Sequence, residues 1–266
     1  MMDDARDTTD NDLTEKQINR KIIKSFIGFA AAIVLAVAGW IWLNKQPEDQ
    51  GALLPLRKAM DANEKIFSSI NSETNLAPTY PLEKAEKNVR VNGLYGLKGD
   101  SIIEEDWRLQ IIRNSGDTLY LTMDELKSFP KTEIVFDFKC IEGWNQITHW
   151  GGVKFSEVAA RYQLGYKNGP DFKSNPAASY KYVGMQTPDK KYYVGIDMQS
   201  MMHPQTLLCY EMNDKPLPNN QGYPLRLIIP VKYGIKSIKR IGTLYFSDSR
   251  PHDYWAERGY DYYSGL

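Results

Sequence analysis

Cysteine is almost absent from this chain: only Cys140 and Cys209 occur in 266 residues. Two thiols on separate candidate strands do not make the dense disulfide framework of a small secreted domain, and a chain this long does not need one. No Cys-x-x-Cys pair, histidine-rich run or His-Glu-x-x-His is present, which removes the usual zinc and iron–sulfur readings. No Gly-x-Gly-x-x-Gly or Gly-x4-Gly-Lys-Ser/Thr occurs, so the common dinucleotide and nucleotide cradles are missing too. Net charge is also lacking, because 33 basic residues meet 33 acidic ones. A chain with no overall field has no electrostatic footprint for nucleic acid. What is present is an ordinary globular composition with an excess of tyrosine, and one long apolar run.

That run, Ser25 to Leu43, carries no charge. Extended back through Ile22 and Ile23, it is long enough as a helix to cross a hydrocarbon core of about 30 Å. Trp40 and Trp42 mark its far end, where indole rings favour the interface. Arg20, Lys21 and Lys24 precede it, whereas Lys45 follows and is soon joined by Glu48 and Asp49. The positive-inside rule then keeps residues 1–20 in the cytoplasm and places residues 44–266 outside it. A cleaved signal peptide is the competing reading, with Ala36-Val37-Ala38 as the small-residue site. Cleavage there leaves Trp40-Ile41-Trp42-Leu43 at a new N-terminus, and the uncleaved single-pass anchor is preferred. Asn19-Arg20-Lys21-Ile22-Ile23-Lys24 is a degenerate cousin of a twin-arginine export signal, as suits a protein exported after folding round a cofactor.

The expected organisation is a disordered cytoplasmic tail over 1–20, the anchor over 21–44, a stalk or arm over 45–88 and a folded domain over 89–266. The arm carries one helical stretch, Leu53–Ile70. Alternating segments predict strands at Trp107–Ile112, Asp117–Leu121, Thr132–Lys139, Tyr180–Met185, Lys191–Ile196, Thr206–Met212, Leu225–Val231 and Ile241–Phe246. Thr122 followed by Glu125 reads as a capping box, and Val153–Tyr162 has helical spacing. Strands outnumber the short helices, so the fold class is α+β with mixed sheet.

Three segments stand apart from scaffold. Cys140 ends an alternating strand and precedes Glu142-Gly143-Trp144, which places a thiol at a rigid edge. A lone cysteine is more often an inert core residue. Arg226 sits in an apolar strand bracketed by Pro224 and Pro230, and a buried arginine must meet an anion or an acceptor. Lys232, Lys236, Lys239 and Arg240 fall within nine residues with Gly234 and Ser237, a phosphate cradle or else a solvated basic edge.

Cys140-Ile-Glu-Gly-Trp144, Trp150-Gly-Gly-Val153, the Gly-x-Pro-x-Arg run at 222–226 and Lys232-Tyr-Gly-x-Lys-x-Ile-Lys239 occur in this order. The combination resembles the sulfite oxidase-type molybdopterin oxidoreductases, and within them the bacterial periplasmic protein-methionine-sulfoxide reductase catalytic subunits. The resemblance runs from about Val89 to Tyr262 and implies a mixed-sheet molybdopterin domain. It implies molybdenum-molybdopterin as cofactor and Cys140 as metal ligand. It also implies pterin contacts from Asn92, Tyr95, Thr187, Gln221, Arg226, Lys232, Lys236, Ser237, Ile238 and Lys239. Gln221 stands where the reductases carry Asn, and Gly96 replaces an acidic residue. His149, Tyr233 and His203 are the polar candidates near the motifs, the first two being the expected catalytic groups beside Cys140. The implied reaction is a two-electron oxygen-atom transfer to or from a small or protein-bound, sulfoxide- or sulfite-like substrate. Electrons would pass to or from a membrane cytochrome or a soluble carrier on the periplasmic side. A cofactor-free, membrane-tethered binding module on the same fold is the alternative.

Overall fold

The computed structural model describes residues 15–70, 74–97, 102–113, 117–167 and 178–266. The chain divides into two compact units, residues 1–48 with 53–55, and residues 49–52 with 56–266.

In the first unit, helix α1 (Glu15–Asn44) contains the whole apolar run and buries none of its residues. Phe26 and Leu35 are 70% and 73% exposed. An apolar surface of this extent is unfavourable in water and favourable in a bilayer. This helix is long and apolar enough to cross a membrane. It starts earlier than expected: Glu15–Arg20, assigned to an unstructured tail, are its first turns. Neither glycine nor proline interrupts them, and Glu15 suits the positive end of the helix dipole. Residues 1–14 of the expected tail lie outside the described residues.

Two short strands, β1 (Glu48–Asp49) and β2 (Ala52–Leu53), precede helix α2 (Leu54–Ile70), which matches the helical stretch expected in the arm. Arg57 on α2 donates to the carbonyls of Gln50, Ala256 and Tyr260, each at 2.8 Å. Residues 74–88, with a 3-10 turn at Leu82–Lys84, then run along the domain. Tyr80 N donates to Val135 O at 2.9 Å and Glu86 N to Ile147 O at 3.0 Å. Gln205 clasps the backbone of Ala77 through both its amide atoms, at 2.8 and 2.9 Å.

Two five-stranded sheets form the domain. One comprises β5 (Thr132–Lys139), β6 (Asn145–Lys154), β9 (Leu207–Met212), β10 (Lys215–Pro216) and β11 (Arg226–Ile228), all antiparallel. The other is ordered β4 (Thr118–Leu121), β3 (Leu109–Ile112), β12 (Thr243–Ser247), β7 (Tyr182–Gln186), β8 (Tyr193–Asp197). Its β3–β12 pair is parallel and the rest antiparallel, so the sheet is mixed, as expected. Between strands lie α3 (Met123–Lys127), α4 (Phe155–Tyr162) and α5 (Met198–Met201). The Thr122–Glu125 capping box is formed in both directions, at 3.1 and 2.7 Å. Leu109, Val153, Phe155, Leu227, Ile238 and Leu244 are among the members of the main core.

Strand β6 was not expected, although it is the longest in the domain. Its sequence, NQITHWGGVK, has no clean alternation because it runs between two neighbours and is buried continuously from Thr148 to Val153. Its register shifts between Gly151 and Gly152, where β9 crowds in. A Cβ on Gly152 would stand 2.2 Å from Leu208 O and 2.7 Å from the Cys209 Cα. A Cβ on Gly151 would meet only the Glu211 side chain and Lys131, at 3.2 Å or more. Gly152→Ala is therefore expected to lower stability by at least about 2 kcal/mol, and Gly151→Ala by far less. Urea unfolding of the two variants checks the order, and equal losses would contradict this account of the bulge.

Candidate functional site

Cys140 is the first residue after β5, and the turn that follows sets its position. Cys140 N donates to Trp144 O at 2.9 Å and Gly143 N to Cys140 O at 3.1 Å. Gly143 has φ +87°, which an L side chain resists. The turn thus joins β5 to β6 while placing Cys140 and Glu142 on the wall of a cavity of about 150 Å³. Asn92, Gly93 and Tyr95 form a second wall, and Gly234, Ile235, Ser237 and Lys239 a third. Tyr192, Trp255 and Tyr260 supply an aromatic side. Gly234 has to be glycine, because a Cβ there would lie 2.4 Å from the Phe138 ring. This close approach brings the 234–239 segment against the end of β5, so residues almost a hundred positions apart share one cavity.

The cavity wall carries one cation, Lys239, and one acid, Glu142. Lys239 Nζ donates to Gly93 O at 2.8 Å and Asn220 O at 3.2 Å. Among the described residues no carboxylate pairs with it. Burial, reinforced by the neighbouring Arg226 charge, pushes its pKa down to about 7. Burial also pushes the Cys140 thiol above its ordinary range. A metal at this sulfur must therefore displace a proton. Glu142, the acid on the wall, accepts from Trp144 Nε1 at 3.1 Å.

Arg226 does not line the cavity; it stands behind it. Its Nη1 donates to Gln221 O (3.1 Å) and Oε1 (2.9 Å), and its Nη2 to Ser237 O at 3.2 Å. The guanidinium carbon lies 4.5 Å from the centre of the Trp150 ring. Its Nε has no partner among the described residues, and burial lowers the pKa to about 10. Gln221 in turn donates to the carbonyls of Val89 and Arg90 at 3.3 Å. Ile238 is in the core, and its carbonyl accepts from Leu227 N at 2.9 Å. Thr187 lies under Gly96 and exchanges bonds with Tyr192, its N donating to Tyr192 O at 2.9 Å. Gln221, Arg226, Ile238 and Thr187 thus hold the wall residues in place without reaching the cavity themselves.

Five candidate site residues are elsewhere. Lys236 turns away from the cavity to a buried ion pair with Asp253 and a 3.0 Å bond to Gly195 O. Lys232 pairs with Asp197 at 2.8 Å and stacks on the Tyr263 ring. The run of cations is therefore not one cradle. A buried ammonium needs an acceptor, and each of these two finds a carboxylate in the fold. Tyr233 is outside the cavity wall, its N donating to Ser264 O at 2.9 Å. His149 pairs in register with Val135, four residues back along β5 from Lys139, roughly 13 Å from the Cys140 end of the strand. His203 is also remote from the cavity wall, near Asn75 O at 3.2 Å.

Tyr192, Trp255 and Tyr260 were not foreseen. In sequence they are three members of an abundant residue class, with no spacing that marks them. Tyr192 OH donates to Ile235 O at 2.7 Å, tying the aromatic side to the third wall.

The lowered pKa of Lys239 has a consequence for the cofactor-free protein. Between about pH 7 and the unfolded value near 10.4, the unfolded chain holds a proton that the folded chain has lost. Stability should therefore rise with pH across that window. Lys239→Met is expected to flatten this rise and to stabilise the cofactor-free form below pH 7, by about 1–3 kcal/mol. Chemical denaturation at pH 6.5 and 9.5 checks it, and a variant with the wild-type pH slope would contradict it.

Residues 97–255 match the family described as the oxidoreductase molybdopterin binding domain. The protein-methionine-sulfoxide reductase subunit YedZ1 of Azospira oryzae is 34% identical over 193 residues, 71% of this chain and 68% of that protein. The protein-methionine-sulfoxide reductase catalytic subunit of Xanthomonas campestris is 27% identical over 269 residues, 95% and 78% of the two chains. Among solved structures, the sulfane dehydrogenase SoxCD of Paracoccus pantotrophus is similar over 57% of this chain and 40% of its own, with 20% identity and a TM-score of 0.46. A thiol at the cavity, an ammonium without a counter-anion and an orphaned guanidinium nitrogen behind it match a soft metal carried on an anionic cofactor. The chain belongs to the oxidoreductase molybdopterin-binding family of the sulfite oxidase type, as a molybdopterin-dependent enzyme.

Proposed function

We propose that the cavity at Cys140 is the active site, with the Cys140 thiolate as protein ligand to molybdenum. The enzyme then moves an oxygen atom to or from a sulfoxide- or sulfite-like substrate, small or protein-bound, with two electrons exchanged. The observation that carries this reading is the meeting of Cys140 and the unbalanced Lys239 on one cavity. The names of the relatives from Azospira and Xanthomonas point to sulfoxide reduction.

When bound, the molybdenum centre supplies the redox chemistry, and the protein supplies position and electrostatics. Lys239, Ser237 and Asn92 are the wall residues suited to hold the anionic end of the pterin. Arg226 acts one layer behind them, because its two Nη groups fix Gln221 and the Ser237 carbonyl. Tyr95, Tyr192 and Trp255 form a polarizable wall that excludes water and suits a sulfur-bearing substrate. Tyr95 is half exposed, at the mouth. In this reading α1 anchors the enzyme in the inner membrane with the domain on the periplasmic side, where a membrane cytochrome or a soluble carrier exchanges electrons with it.

Cys140→Ser replaces a soft thiolate with a hydroxyl that stays protonated near neutral pH. Turnover is expected to fall more than ~100-fold, beyond the 10–100-fold typical of residues one layer behind a metal ligand. X-ray absorption at the molybdenum edge should show one sulfur fewer. Cys209 offers the control. It is fully buried in β9 opposite Arg226, and burial pushes its thiol far up. Cys209→Ser should alter stability by ~1 kcal/mol and leave turnover intact. Activity and an unchanged sulfur count in Cys140→Ser would overturn the ligand assignment.

The orientation has its own test. A reporter fused after Leu266 is expected to work only if it is active outside the cytoplasm, and a functioning cytoplasm-only reporter would reverse the topology.

A further inference from the structure

His149 is the one expected catalytic histidine whose side chain is buried and unexplained by the cavity. It is 3% exposed, and among the described residues its Nδ1 has no hydrogen-bond partner. Two carboxylates flank it. Glu133 Oε2 is 3.8 Å from Nε2, and Asp214 Oδ2 is 4.0 Å from Nδ1. Both separations are too long for hydrogen bonds. A buried ring nitrogen without a partner costs its full desolvation. One nitrogen of His149 and one oxygen each from Glu133 and Asp214 lie within 4.8 Å of one another.

The fold sets this grouping firmly. Glu133 on β5 pairs with Gly151, and Val135 with His149, so the two side chains are diagonal neighbours on one face. Asp214 is in the two-residue turn Asn213–Asp214 between β9 and β10, where both residues have positive φ, at 52° and 58°. That is the tight hairpin turn Asn and Asp tolerate. Asn213 N donates to His149 O at 3.2 Å, which pins the turn beside the histidine. Lys131 lies 2.8 Å from Glu133 Oε1, so it occupies that oxygen and leaves Oε2 toward His149.

We infer that Glu133, His149 and Asp214 form a site for a borderline divalent cation of the zinc class, separate from the cavity at Cys140. One imidazole nitrogen and two carboxylate oxygens are a nitrogen–oxygen donor set suited to such an ion. Around a tetrahedral ion with bonds of about 2.0–2.1 Å, ligand atoms stand about 3.4 Å apart. One ion takes a single ring nitrogen, and from the present spacing of within 4.8 Å the side chains of Glu133 and Asp214, 45% and 62% exposed, would have to close by up to about 1.4 Å. A water would complete the four ligands. The ion would cross-link β5, β6 and the β9–β10 turn, and so brace the strands that lead to Cys140.

The test uses the full-length holoenzyme in detergent, dialysed against EDTA with its molybdenum content verified as unchanged. Titration with zinc chloride by calorimetry is expected to show one site per chain. Asp214→Asn and Glu133→Gln should each weaken it at least about tenfold, and His149→Gln more. Zinc should raise the melting temperature of the wild type and not that of Asp214→Asn. Absence of a zinc site in the wild type overturns the inference. So does a loss of less than tenfold in both carboxylate variants, which are exposed and decide the matter even if His149→Gln fails to fold.

Discussion

A guanidinium closed off from water, with no carboxylate among the described residues to balance it, sits at the centre of this domain. Arg226 lies over the face of Trp150 and spends its two Nη groups on Gln221 and the carbonyl of Ser237. Gln221 reaches on to the backbone of Val89 and Arg90, just before the Asn92–Tyr95 wall. One buried cation therefore ties together β11, the 234–239 segment and the approach to the first wall. The Trp150 ring can lie beneath it because β6 is a central strand whose next two residues are glycines, at which β9 comes close. Leaving that charge without an acid keeps the local potential positive. Burial lowers the Lys239 pKa, that potential lowers it further, and together they prepare the cavity for an anion.

The four cations between Lys232 and Arg240 show how one charged run is divided by its surroundings. Lys232 and Lys236 enter the fold and are neutralised by Asp197 and Asp253. Arg240 donates to the backbone carbonyls of Tyr223 and Leu97. Of the four, Lys239 faces the cavity, and among the described residues its partners are carbonyls. A cation with an acid beside it is scaffold, and a cation with only backbone dipoles is available to a ligand. The same criterion separates the two cysteines. Both thiols are buried, but Cys209 in β9 has Arg226 of β11 opposite it and meets no cavity among the described residues, whereas Cys140 meets open space at a glycine turn.

The amino-acid sequence by itself determined the apolar α1 span, the capping box at Thr122, β5 over Thr132–Lys139, and the placing of Cys140 at its end. These are local properties, set by hydropathy, by a three-residue capping spacing and by alternation along one strand. The motif order also made the family legible, and with it Asn92, Tyr95, Ser237 and Lys239 as candidate cofactor contacts, which the fold gathers on one cavity. Tertiary structure alone decided the rest. Strand β6 was hidden because burial on both faces erases the alternation that reveals a strand. Lys232 and Lys236 read as cradle residues because their partners, Asp197 and Asp253, lie 35 and 17 positions away and nothing local announces them. His149 read as a neighbour of Cys140 because nine residues is a short distance in sequence, yet a hairpin carries it down the sheet toward Glu133 and Asp214. Sequence records which groups are available, and the pairing of charges across the fold selects which of them are left for a ligand.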